Sequence, residues 1–150
     1  MPTALELFQQ LAEKSEGRFH VPYKDPAKGI WTVGIGHTGT NVTQGQVWTD
    51  SQIDQAFAKD AQDAMAEAFS ASPTLRHQSP GTQAAVFDFV FNEGIGHYDT
   101  STLKIDIDRG DLAAAKQSIL LWDKGTVNGV KVALPGLVTR RQAESDLIGT

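Results

Sequence analysis

The chain has 150 residues, with 13 Lys and Arg against 18 Asp and Glu, a net charge of −5 with histidine neutral, and no cysteine. Hydrophobic residues make up 40% and charged residues 21%, the balance of a folded chain whose single core closes without covalent staples. Absence of cysteine excludes a disulfide scaffold, Cys-ligated zinc, an iron–sulfur cluster and a thiol nucleophile, and the acidic balance argues against nucleic-acid partners, which draw on clustered Lys and Arg.

Residues 1–11 carry Glu6 and no Lys or Arg, so they lack the charged start of a secretory signal. No apolar run approaches the roughly 18 residues of a membrane span. The expectation is a chain made and held in a cytoplasm, without stable membrane insertion. Thr3-x-x-Glu6 is a capping box, followed by apolar residues at three- and four-residue spacings, and it predicts a helix over about 4–15 closed by Gly17. From Phe19 to His37 the period changes to that of a β-hairpin, with its turn in Asp25-Pro26-Ala27-Lys28-Gly29. Residues 38–49 read as loop.

Thr49-x-x-Gln52 opens a long helix to about Phe69, with Ile53, Phe57, Ala61, Ala64 and Ala68 on one face. A break follows at Ser72-Pro73. Ser79-Pro80 starts a nearly apolar helix through Phe91 that belongs in the middle of a core, and Gly94 and Gly96 are read as its end. Shorter helices are expected over 101–109 and 111–122. Val127-Asn128-Gly129-Val130 is a hairpin turn, and Leu134-Pro135-Gly136 leads into a terminal helix. Together these predict one α+β domain over 1–150. A hairpin lobe (about 17–48) is joined by a connecting helix (about 50–70) to a helical body (about 72–150), against which helix 4–15 packs.

Gly34-Ile35-Gly36-His37-Thr38-Gly39 fits G-x-G-x-x-G, but a dinucleotide site needs a helix to begin there, and the next residues, Thr40 to Gly45, are loop-forming. These glycines are better read as permitting close backbone packing beside a cleft. None of His20, His37, His77 and His97 stands in a metal-ligand spacing, so no metal and no other cofactor is expected. Glu16 lies in the last turn of the first helix, where converging carbonyls and burial disfavour the ionised carboxylate, and such a group can serve as a general acid. Asp25, nine residues later in a polar turn, is expected to stay charged. Two carboxyls whose environments push them apart suit hydrolysis of a glycosidic bond, although spacing alone fits solvated surface residues as well.

The string Glu16-Gly17, Tyr23-Lys24-Asp25, Trp31-Thr32-Val33-Gly34-Ile35-Gly36-His37 resembles the active-site region of the phage T4-type lysozymes, glycoside hydrolase family 24. The resemblance continues through Thr82-Gln83-Ala84, Phe91-Asn92-Glu93-Gly94 and Ser101-Thr102-Leu103. It ends with Trp122, Leu134-Pro135-Gly136-Leu137-Val138, Arg140-Arg141 and Glu144. It implies a lysozyme-like fold with a cleft between hairpin lobe and helical body. It also implies a phage or prophage endolysin, monomeric, acting on peptidoglycan at the β-1,4 bond between N-acetylmuramic acid and N-acetylglucosamine. By the same resemblance Glu16 is the general acid, Asp25 the second carboxylate and Thr32 the residue that helps place a water. Six residues separate Asp25 from Thr32 where many relatives have five, an extra residue that falls in the Pro26–Gly29 turn.

Further expectations concern the surroundings of these three. His37 is expected to hydrogen-bond near the cleft floor. Asn92 and Glu93 either line the glycan groove or cap a helix end. Either Arg140 or Arg141 stands behind Glu16, or they pair with Glu144 or Asp146 on their own helix. Access to the wall falls to a holin. A lytic transglycosylase and a catalytically silent peptidoglycan-binding module are the alternatives, and an intact Glu16, Asp25 and Thr32 set counts against both.

Overall fold

The computed structural model describes residues 1–26 and 28–150. Ala27, part of the turn expected to absorb the extra residue, lies outside them. Helix α1 (Ala4–Glu16) opens on the expected capping box: the Thr3 amide donates to Glu6 at 2.7 Å and the Glu6 amide to the Thr3 hydroxyl at 3.2 Å. It ends at Gly17, whose φ of 76° a side chain would resist and whose missing Cβ leaves room for the Phe19 ring. The chain then enters an antiparallel sheet of β1 (Phe19–Lys24), β2 (Trp31–Gly34) and β3 (His37–Thr38), in that spatial order. Tyr23 faces Thr32 and Thr32 faces Thr38 across the sheet, and β1 carries an irregularity between Phe19 and Tyr23. The expected hairpin is thus three strands, the last too short to leave a sequence period.

Helix α2 (Asp50–Ala71) has 22 residues, about 33 Å at 1.5 Å per residue. It buries Ile53, Phe57, Ala61, Ala64 and Ala68, the face read from spacing. After a single 3-10 turn at Pro73–His77, α3 (Pro80–Glu93) runs through the centre with nine buried residues. The aromatic rings converge on it. Phe8 meets Phe57, Phe87 and Phe91 at 5.3, 6.0 and 5.6 Å between centroids, mostly edge to face.

Gly94 ends α3 as expected, but Gly96 does not. It sits inside a five-residue helix, α4 (Ile95–Asp99), which is too short to declare itself by periodicity. Helices α5 (Thr102–Arg109) and α6 (Leu112–Leu120) come next, capped by Ser101 and Asp111. Strands β4 (Lys124–Val127) and β5 (Val130–Ala133) form the second hairpin, turning on Asn128 and Gly129 with φ of 50° and 79°. Helix α7 (Pro135–Leu147) returns along α1, α3 and α6. Its far end is tied to α3 where the Gly81 amide donates to the Thr150 carbonyl at 3.1 Å and the Gly149 amide to the Thr82 hydroxyl at 2.8 Å. The architecture is α+β, mainly helical with small antiparallel sheets. Among the described residues no helix is long and apolar enough to cross a membrane.

Candidate active site

The end of α1, the three-stranded sheet, α2 and the end of α3 surround a cleft of about 430 Å³. Glu16, Asp25, Thr32 and Asn92 all line it, together with Gly36, Asp60 and Phe91. Four residues singled out from the sequence are therefore brought together, across 76 positions of chain from Glu16 to Asn92 (92 − 16).

Glu16 is half-buried, its side chain 25% exposed, and its Oε1 accepts from Arg140 Nη1 at 2.6 Å. The approach of the backbone at Gly36 shapes its other side. A Cβ there would stand 2.9 Å from Glu16 Oε2, and the φ of 67° disfavours any other residue. The glycine string that mimics a nucleotide motif thus serves close packing against a carboxyl. No helix begins there, because β3 and a loop come next.

Asp25 sits half-buried at the head of the first turn. Its Oδ1 accepts from the Lys28 amide at 3.2 Å, and its own amide donates to the Ile30 carbonyl at 2.8 Å. Tyr23 lies within reach of both carboxyls: partial burial first, then the charges of Glu16 and Asp25, push its hydroxyl above the ordinary value. Thr32, 4% exposed, donates its hydroxyl to the Ile30 carbonyl at 3.1 Å. With its one hydrogen committed, its oxygen is left as an acceptor toward the cleft.

His37 does not line the cleft. Its Nδ1 pairs with Asp60 Oδ2 at 2.6 Å, its Nε2 lies 3.3 Å from Asn41 Oδ1, and its ring tilts against Trp48. It ties β3 to α2. Glu93 also turns away, toward Arg141 at 3.6 Å and His97 at 3.5 Å. Asn92 on the cleft wall accepts from Arg141 Nη2. The two arginines divide the roles left open: Arg140 stands behind Glu16, whereas Arg141 pairs with Glu144 on its own helix at 2.8 Å.

Two acidic residues escaped sequence reasoning. Asp88 grips Arg140 at two nitrogens, 2.9 and 2.8 Å. Its signal was present, as a charge set in the middle of the apolar run 84–91. Asp60 gave none, being one of several acidic residues on α2 whose partner lies 23 positions away. Among the described residues no group of three or more His, Cys, Asp or Glu is arranged to hold a metal ion. The site sets a carboxyl held by Arg140 in one cleft with a second carboxyl and a hydroxyl acceptor.

Known proteins share this arrangement of elements. A family model described as "Phage lysozyme" matches residues 13–144. A "SAR-endolysin" from Enterobacteria phage PA-2 is 34% identical over 133 residues, covering 88% of this chain and 76% of the relative. An "Endolysin" from Acyrthosiphon pisum secondary endosymbiont phage 1 is 36% identical over 122 residues, covering 79% and 80%. Among solved structures, the endolysin from Escherichia coli O157:H7 phage FAHEc1 superposes with a TM-score of 0.87 at 26% identity, covering 95% of this chain and 90% of that one.

Proposed function

The chain belongs to the phage lysozyme family, and on that premise we propose that it is an endolysin cutting the β-1,4 bond between N-acetylmuramic acid and N-acetylglucosamine, with Glu16 as general acid. The observation that carries this reading is the shared cleft. A carboxyl held by Arg140 shares one cleft of about 430 Å³ with a second carboxyl and a hydroxyl acceptor. Glu16 gives its proton to the leaving glycosidic oxygen as the bond to the anomeric carbon breaks. Asp25 faces the positive charge that develops on that carbon. A water whose hydrogens point at Asp25 and the Thr32 oxygen has a lone pair free to attack, and its oxygen forms the new bond. The excess proton leaves through Asp25, and Glu16 regains one from solvent. Asn92, at the end of α3, supplies an amide to the glycan from the same wall.

Chemistry of this kind is peptidoglycan lysis, and the named relatives are endolysins. Monomeric action, holding in the host cytoplasm and release to the wall through a holin belong to the same proposal. Lysis assays with and without a co-expressed holin test the last of these.

The deciding experiment is mass spectrometry of purified sacculi after digestion. Reducing muramic ends are the expected product. Anhydro-muramic ends would mean a lytic transglycosylase instead, and unchanged sacculi a binding module. Glu16→Gln, isosteric but without the acid proton, is expected to lose at least about a hundredfold in rate while its circular dichroism stays that of the parent.

A further inference from the structure

Beneath the cleft floor, helices α3 and α7 bury a set of charges to which the proposed hydrolysis assigns no step. Asp88 is 0% exposed, Arg140 4%, and Arg141 and Glu144 0% each. A carboxylate on an apolar helix is costly to bury unless it is fully partnered, so what Asp88 holds matters. Its two oxygens take Nε and Nη2 of Arg140 at 2.9 and 2.8 Å, leaving Nη1 to reach Glu16 at 2.6 Å. A planar guanidinium gripped at two nitrogens has little rotation left, so Asp88 sets the direction in which the third nitrogen points.

Asp88 also sets the charge. Burial opposes its ionisation, but the Arg140 fork outweighs burial and holds it below the usual range. Glu16 therefore faces a guanidinium already matched by one buried negative charge. The network continues on the far side of Asp88. Glu144 shares a hydrogen bond with it and takes Arg141 Nη1 at 3.0 and 2.8 Å, and Arg141 in turn holds Asn92. Burial, and then the charge of Asp88, push Glu144 well above its ordinary value, because two carboxyls brought together on one buried network resist ionising side by side.

We infer that Asp88 is a positioning residue for the hydrolysis: through Arg140 it fixes the direction and tempers the charge presented to Glu16, and through Glu144 and Arg141 it couples that setting to Asn92 on the same cleft. The inference rests on the reading of Glu16 as general acid. Among the described residues, the charged and titratable groups around Glu16 are Arg140 from α7, backed by Asp88 from α3, with Tyr23 of β1 and Asp25 on the sheet side, and Lys28 of the turn and Asp60 of α2 lining the same cleft. Arg141 and Glu144 reach it only through Asp88 and Arg140.

The test measures kcat and KM on soluble glycan strands across the full pH range for Asp88→Asn, Arg140→Lys and Glu16→Gln. Asp88→Asn keeps the shape and drops the charge. Its kcat is expected to fall about tenfold or more with KM within about twofold. The alkaline limb of its kcat/KM profile should move to lower pH by about half a unit or more, because an uncompensated guanidinium favours ionisation of the acid it touches. Arg140→Lys keeps the charge but loses the fork, so kcat falls comparably while the limb stays in place. A folded Asp88→Asn with parental kcat and parental limb overturns the inference, as does one altered only in melting temperature. If Asp88→Asn does not fold, Arg140→Lys decides: reduced kcat with the limb in place supports the inference, and parental kcat or a shifted limb overturns it. Activity retained in Glu16→Gln overturns the reading of Glu16 itself, whereas an inactive Glu16→Gln beside a parental Asp88→Asn overturns this inference alone.

Discussion

Single atoms decide how Glu16 is held. At Gly36 the missing Cβ is the space that the Glu16 carboxyl fills, 2.9 Å from where that carbon would be. Gly36→Ala is expected to cost about 1–2 kcal/mol in backbone strain and to lower kcat well beyond what the stability loss explains. Chemical denaturation and kinetics on the same preparation separate the two effects, and parental kcat in the variant would refute the packing argument. Asp88 and Glu144 give a second residue-level outcome, because they shift in opposite directions. The contribution of Asp88, held below its ordinary 3.8, is present above that value and is lost as pH falls through its lowered folded value. Glu144, held well above its ordinary 4.5, contributes fully below 4.5, and that contribution is lost as pH rises toward its folded value. The melting temperature should therefore decline as pH rises from about 5 toward neutrality. Glu144→Gln, which cannot ionise, should flatten that decline, and parallel curves for parent and variant would show that Glu144 is not its source.

At the scale of elements, the legible ones carried their own punctuation. The boxes Thr3-x-x-Glu6 and Thr49-x-x-Gln52, the Ser79-Pro80 start and the Asn128-Gly129 turn each name a local hydrogen bond or backbone angle, and each boundary falls within a few residues of its expected place. Helix α4 and strand β3 were not legible. Five residues between glycine and threonine, or two residues in a sheet, are too few for a period to recur, and only tertiary contact makes them regular. The same contrast holds in the site. Glu16 was readable because a helix end and a glycine locate it, and Asp60 was not, because its role depends on His37 across the fold. Since α2 forms one wall of the cleft, its cap is expected to matter: Thr49→Ala should cost about 1 kcal/mol. That lowers the melting temperature by about 2–4 °C without changing KM. A drop in affinity instead would mean that the cap also shapes the cleft.

For the whole molecule, the net charge of −5 says less than how charges are paired. Arg18, just past α1, reaches Glu13 at 2.6 Å, Asp50 at 3.0 Å and Asp54 at 2.7 Å, so one side chain joins the end of α1 to the first turns of α2 where the small sheet begins. Asp50 and Asp54 are largely exposed, so solvent and salt screen these pairs and each contributes little to stability. Arg18→Ala should accordingly lower global stability only modestly. Amide exchange in β1 and β2 should rise while α3 stays protected, and equal loss of protection in both would contradict the idea of a local clasp.

Arg140 and Glu16 meet across 124 positions of chain. During synthesis Glu16 leaves the ribosome 124 positions ahead of the side chain that holds it. Until then Asp88 also lacks its cation, in the middle of the central buried helix. A product terminated before α7 would carry both carboxyls and neither of their anchors. The two carboxyls therefore wait for the one guanidinium that joins them until α7 has been made.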